Sequence, residues 1–565
     1  MPQLLKLCAW VLAAHLLAAS ASLSVVAAYA EGGILVHRLE SGEVSVKFDL
    51  PDDVSEIWFY ADSSVIRADY WHLETGDLEL QSDRIVSSRG TTFKHAAVRL
   101  TPNDLPLDRV FPSLVDFGDA LSLVNIDYIR ARGGVGDMPV VVQNAYDPSS
   151  RECLANYSID TYGRENLPDT AGRYVLLGTS YEDCVLALRA DMPNILVSEG
   201  TSAKIDDLIS GAFGSVYELL LDSFDLSPSM ESTIFVSHQP TAAFDRVQAD
   251  VGWDSVISLR FFGSAWDDPD DARSIQILNL LAHEAVHLWI GTTFQIAGQP
   301  GRAWLHEGAA EYIALRILLR QGWMSHEAFR SRIERDLARC SSALGTMSLM
   351  TERAPQGGRL VYDCGVLVQF VYDVVIHSES GGQRSVLDLW RELMHESVEA
   401  GERTVTAEQF LALNEEARKI LSSALYGPSI ETAAILESLQ EFGVDATLQE
   451  DTGTAAIMFA LLSGFFTAEC GSGPWGFFTL EDHLALDTNE TCQTIPDGFV
   501  LRHVQGVDVL KDASQVFDRV LEACTQSGVA RMSGRTPEEP EFELPCPVPL
   551  PESPKQLKVR KLPYL

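Results

Sequence analysis

Short runs in which apolar and polar residues alternate fill the chain from Glu31 to about Pro193, with frequent Gly, Pro and Asp breaks; Glu43-Val44-Ser45-Val46-Lys47-Phe48 is typical. A period of two marks half-buried strands, so residues 31–195 are expected to form a β-rich domain. The clustered aromatics Trp58, Tyr60, Tyr70 and Trp71 are assigned to its core. The period then changes. Ser202 to Phe224 repeats as an amphipathic helix, and Ser232 to Ser237 and Ser255 to Phe262 read as strands. Helical periodicity returns at about 326–340, 360–377, 384–396 and 406–442.

Between these lies a helix with almost no polar face. Ile275, Ile277, Leu278, Leu280, Leu281, Val286, Leu288 and Trp289 surround His283-Glu284-Ala285-Val286-His287, an H-E-x-x-H sequence. Asp267-Asp268-Pro269-Asp270-Asp271 offers an Asp cap and a proline at the first helical position, and Gly291 a stop. On a helix, His283 and His287 stand one turn apart on the same face, the spacing two imidazoles need to hold one zinc ion. Glu284 lies beside them, placed to take a proton from a metal-bound water. The bland alternative is a chance pattern on a capped or solvated helix.

Tetrahedral zinc needs a further protein ligand. Twenty residues past His287 runs Ala303-Trp304-Leu305-His306-Glu307-Gly308-Ala309-Ala310-Glu311-Tyr312. Glu307 is the expected third ligand, on a second helix closing near Gly322, with His306 as its competitor. Glu311, one turn further on, is placed to orient a zinc histidine from behind. Two histidines, a glutamate and a water make an open, catalytic type of zinc site, one Zn2+ per chain.

Here the sequence resembles the gluzincin metallopeptidases, above all the aminopeptidase N-type and glycyl aminopeptidase families, whose signature is H-E-x-x-H followed by W-L-x-E-G-x-A. The resemblance covers His283 to Tyr312 and, more loosely, the chain to about residue 380. It implies a thermolysin-like domain over 196–443 with a helical C-terminal half. It also implies that the edge strand before the zinc helix, Ser255 to Phe262, pairs with an extended substrate. Tyr362, in Val361-Tyr362-Asp363-Cys364-Gly365, takes by resemblance the role of the tyrosine that stabilises the oxyanion; a plain core tyrosine is the alternative. Two features depart from the family pattern. Nineteen residues, rather than eighteen, separate His287 from Glu307. No good copy of the G-x-M-E-N strand, whose glutamate reads a free amine, is found, so aminopeptidase specificity is not carried over.

Composition adds the setting. Residues 1–30 carry one charge, Lys6, then an apolar run and an Ala28-Tyr29-Ala30 end, the pattern of a signal peptide, with an uncleaved anchor as the alternative. Eight cysteines follow the leader, an even number with no C-x-x-C spacing, which suggests disulfides and an exported, periplasmic or extracellular protein. Proximity suggests Cys153 with Cys184, Cys340 with Cys364, Cys470 with Cys492 and Cys524 with Cys546. The net charge of −38 argues against nucleic acid as a partner and leaves peptides or proteins as substrates. The longest later apolar run, Thr454 to Ala468, is too short for a membrane span, so no stable insertion is expected once the leader is removed.

Past Gly443 the pattern changes again. Gly471-Ser472-Gly473-Pro474-Trp475-Gly476-Phe477-Phe478 resembles the carboxylate-binding loop of PDZ domains, with strands at Gly498 to Leu501 and Gly506 to Val509 and a helix at Ala513 to Cys524. Residues 444–532 are therefore expected to be a small PDZ-like domain, a module the glycyl aminopeptidases also carry. Residues 533–565 form a proline-rich tail, extended or disordered, whose Lys555, Lys558, Arg560 and Lys561 suit an acidic body. The expected fold is thus α+β and multidomain, and the expected activity an exported zinc peptidase. The rival reading is a catalytically silent peptide-binding protein on a protease fold.

Overall fold

Val44, Val46 and Phe48 bury completely while Lys47 faces solvent, so the alternation read from the sequence is that of a strand with one face in a core. That strand, Val44–Val54, sits between Gly33–Arg38 and Phe93–Leu100 in a nine-stranded sheet, antiparallel to both. Gly33–Arg38 pairs in turn with Val140–Asp147, in parallel. A five-stranded antiparallel sheet centred on Glu56–Phe59 covers the same core. Tyr70 and Trp71 belong to that core, but Tyr60 is 39% exposed, its hydroxyl bonded to Asp137, and half-buried Trp58 lies under the Arg84 guanidinium. The aromatic cluster is thus only partly core.

The computed structural model describes residues 32–564 except 61–63, 103–112, 118–120, 134–135, 148–151, 160–173, 181–194, 230–231, 243–244, 253–254, 299–300, 345–346, 352–353, 356–357, 428–429, 452, 471–475, 480–482, 489–491, 535–540, 549, 551–552 and 554. The expected signal peptide, Cys184 and most of the PDZ-like loop lie outside the described residues. The chain groups into two compact units: Met1–Phe213 with Pro228–Ile277, and Gly214–Ser227 with Leu278–Leu565.

In the first unit, Ile195–Val197, Thr233–Gln239 and Val256–Phe262 run parallel, and Arg246–Val251 adds an antiparallel border. This corrects one expectation. Val256–Phe262 is an inner strand, and the edge belongs to Arg246–Val251, whose polar residues hide it from a hydrophobicity reading. Arg260 and Asp250, buried on neighbouring strands, pair across that register.

The second unit is mostly helical. The motif helix, Asp271–His287, of which the part from Leu278 on belongs to this unit, begins after Asp270, whose side chain accepts from the Arg273 N–H, so Pro269 precedes the cap instead of opening the helix. Its last turns, from Leu281 on, are wholly buried. Three further helices follow: the glutamate helix Ala303–Arg320, the arginine helix His326–Ala343 and the tyrosine helix Arg359–Glu379. The last is long and apolar enough to cross a membrane, yet 89% of that stretch is buried inside the protein. Val386–Glu399 packs beside it. The helical pattern over 406–442 is divided into four short helices, the first two begun by Thr406 and Asn414, which cap their N-termini by accepting from the N–H groups of Gln409 and Ala417.

Further on, helix Thr454–Cys470 and helix Ala513–Gln526 share one apolar core with short strands that run to Leu544. Disulfides Cys470–Cys492 and Cys524–Cys546 close this region, and Cys340–Cys364 joins the arginine and tyrosine helices. The proline-rich segment is part of the fold and not a free tail. Glu541–Pro545 pairs with Val529–Ser533, and Lys555–Lys561 pairs with Asp445–Glu450. The basic end finds acidic partners: Lys558 meets Glu334 and Arg560 meets Asp445.

Candidate metal centre

His283 and His287 project from consecutive turns of the buried end of the motif helix, with Nε2 atoms 3.1 Å apart. Glu307, in the first turns of the glutamate helix, brings Oε2 to 3.3 Å from each. Among the described residues these three form the group whose ligand atoms converge as a metal site requires. Four ligands at zinc-like bond lengths in a tetrahedron stand about 3.3 Å apart, so the three atoms already have the spacing of one face.

The hydrogen bonds behind the rings test whether a cation fits. His283 Nδ1 lies 3.1 Å from Glu311 Oε2, and His287 Nδ1 lies 3.1 Å from the Ile290 carbonyl. Both partners only accept, so each Nδ1 carries the proton and donates. Each neutral ring then turns the lone pair of Nε2 toward the other and toward a carboxylate oxygen. Three lone pairs facing one another repel unless a positive charge lies among them, which is what a metal supplies. The donor set therefore fits zinc.

Burial by itself would lower the His283 pKa, but hydrogen bonds with Glu307 and Glu311 outweigh it and raise the value to about 10 without a metal. Burial works against ionised Glu307 too, yet the imidazoles of His287 and His306 hold its carboxyl well below the usual range. Without a metal a proton on His283 thus serves as the positive charge among these facing atoms, and a metal ion would displace it.

His306 stacks beside His287, ring centroids 4.2 Å apart, under Gly291. There φ is +119° and an added Cβ would lie 2.3 Å from the His306 ring. Its Nδ1 approaches Glu307 Oε1 at 3.6 Å, the oxygen other than the one facing His283 and His287. Burial and then His287 push its pKa down to about 3, so it is a neutral neighbour. Glu284 is buried, and its charge acts on both His283 and Tyr362. Tyr362 is half-buried with its ring centroid 5.8 Å from that of His283. The charge of Glu307, then burial, raises its hydroxyl well above the ordinary value, so it stays a donor.

All six residues singled out in the sequence, His283, Glu284, His287, Glu307, Glu311 and Tyr362, therefore lie in one cluster of the second unit. Sequence reasoning missed the charges behind them. Arg332 and Asp336, and Arg359 and Asp363, are each one turn apart on their helices. Arg359 and Asp363 stand among apolar positions, which was the available signal, whereas Arg332 and Asp336 lie on a helix rich in charge, a pattern that surface helices share.

No family model matches the chain, and no curated protein does. Solved structures do. An aminopeptidase N family protein from Idiomarina loihiensis is similar over 94% of this chain and 98% of its own, at 13% identity and a TM-score of 0.53. The fold is that of the aminopeptidase N family. An M1 zinc metallopeptidase from Deinococcus radiodurans is less similar, at 14% identity and a TM-score of 0.36, covering 70% of this chain and 93% of that one. Native yeast LTA4 hydrolase covers 71% of this chain and 69% of its own at 11% identity and a TM-score of 0.39. The likeness to the Idiomarina loihiensis protein is one of fold: in this chain a β-rich N-terminal part is followed by a helical C-terminal part.

Proposed function

We propose that this chain is a zinc-dependent peptidase, exported from the cell, that hydrolyses peptide bonds with an activated water. The observation that carries the reading is the convergence of His283, His287 and Glu307 beside Glu284 and Tyr362. His283, His287 and Glu307 would hold the zinc, which when bound supplies the Lewis acidity that makes water a nucleophile at neutral pH. Glu284 takes the proton from the attacking water and passes it to the departing amine. Tyr362 donates a hydrogen bond from its hydroxyl to the carbonyl oxygen as that atom gains charge. Glu311 keeps Nδ1 of His283 protonated, so that Nε2 stays free to bind.

Three disulfides among the described residues favour an oxidising compartment, which supports export. Residues 444–532 contribute a PDZ-like peptide-holding surface in this reading, supported by the helix Ala513–Gln526 and the strands at Val500–Leu501 and Val507–Asp508. Removal of the free N-terminal residue and internal cleavage are both open to such a site.

Glu284→Gln tests the reading. The amide keeps the shape and removes the proton acceptor, so the variant should bind zinc as the wild type does and lose nearly all turnover of an unspecific peptide mixture. Wild-type protein that holds zinc but cleaves no peptide would instead favour the silent, peptide-binding reading.

A further inference from the structure

Behind the metal centre, three helices of the second unit meet through charge. Glu311 on the glutamate helix, Asp336 on the arginine helix and Asp363 on the tyrosine helix are all buried carboxylates. Two guanidiniums lie among them. Arg332 binds Asp336 through Nε, at 2.8 and 3.1 Å, and reaches Glu311 Oε1 with Nη2. Arg359 sits 3.0 Å from Asp363, 3.7 Å from Asp336 and 3.8 Å from Glu311. The other oxygen of Glu311 faces His283 Nδ1. Arg332, Glu311 and His283 thus form a continuous line ending at the lone pair offered to the metal.

A carboxylate can orient a histidine ring only if it is itself held in place. Arg332 holds the far oxygen of Glu311, with Arg359 further off, while the near oxygen faces His283 Nδ1. Held so, the carboxylate fixes the His283 tautomer and makes Nε2 a stronger donor. Asp336 cannot replace Arg332 in this task, because it is itself an anion and does not contact His283 among the described residues.

We propose that Arg332 is a positioning residue of the metal centre, acting through Glu311 to present His283 Nε2 to the ion, with Arg359 as its weaker partner. This rests on the zinc-site reading above. It does not depend on peptide being the substrate.

The test measures zinc affinity of the full-length protein by competition with a chelator. Arg332→Gln should weaken zinc binding roughly 10- to 100-fold, as Glu311→Gln should. The double variant should be no more than about twofold weaker than Glu311→Gln alone, because both changes break the same line. Arg332→Lys, which restores the charge, should recover most of the loss. Asp336→Asn leaves Arg332 its contact with Glu311 and should bind zinc within about twofold of wild type; this variant carries the test if Arg332→Gln does not fold. Losses that multiply in the double variant, or an Asp336→Asn loss as large as that of Glu311→Gln, would mean that Arg332 acts only by holding helices together, and would overturn the proposal. Wild-type protein that takes up no zinc would defeat the zinc-site reading itself, a result seen before any variant is compared.

Discussion

Gly308 and Gly365 touch backbone to backbone: a Cβ added to Gly308 would lie 2.1 Å from the Cα of Gly365. The contact joins the glutamate helix, one residue past Glu307, to the tyrosine helix, three residues past Tyr362. Neither backbone can yield as a flexible side chain could. We expect Gly308→Ala or Gly365→Ala to cost about 3 kcal/mol, the upper part of the range for overpacking, and to lower zinc content and turnover as the helices part. Gly322→Ala is the control: φ is +71° there, but nothing lies within 4 Å of the added Cβ. Thermal melts should show a loss of about 1–2 kcal/mol from left-handed strain, with zinc content unchanged.

Glu307 and His306 are separated by elemental analysis. Glu307→Ala should abolish stoichiometric zinc, whereas His306→Ala should retain it, because His306 faces the far oxygen of Glu307 and not the converging ligand atoms. Zinc retained in Glu307→Ala and lost in His306→Ala would reverse the assignment.

Tyr362 has no hydrogen-bond partner for its hydroxyl among the described residues, and its ring is half-buried against His283 and Arg359. Tyr362→Phe should therefore leave the melting temperature nearly unchanged. If the hydroxyl donates to the developing oxyanion, kcat should fall roughly 10²- to 10³-fold with KM little altered. A stable variant with kcat within a few fold of wild type would rule the role out.

Asp363 offers a pH signature of the buried network. Burial raises its pKa to about 7, against the pull of Arg359, and its Oδ2 has no hydrogen-bond partner. Between its unfolded value of 3.8 and about 7 the folded protein binds more protons here than the unfolded chain, so this group's contribution to stability falls as pH rises through that window. Asp363→Asn should flatten that decline in denaturant titrations run from pH 4 to 8. Glu311, held below the usual range, works in the opposite sense, its contribution being lost as pH falls through its lowered folded value.

Local chemistry explains what could be read from the chain alone. The spacing of His283 and His287 on a helix, the alternation in Val44 to Phe48 and the capped start of the motif helix all depend on residues a few positions apart, while Glu307, on the next helix, was reached through the motif that surrounds it. Backbone geometry ties such residues together whatever surrounds them. The pairs Cys340–Cys364, Cys470–Cys492 and Cys524–Cys546 were reachable for a related reason, as each closes a short loop. Only the tertiary structure decided the rest. Arg332 meets Glu311 because two helices pack, and nothing in either local sequence separates that arginine from a solvated one. Arg246–Val251 becomes the border strand through pairing and not through pattern. The proline-rich end joins the fold because strands Val529–Ser533 and Asp445–Glu450 offer it edges, and the second pairing, between residues distant in the chain, leaves no trace in its composition.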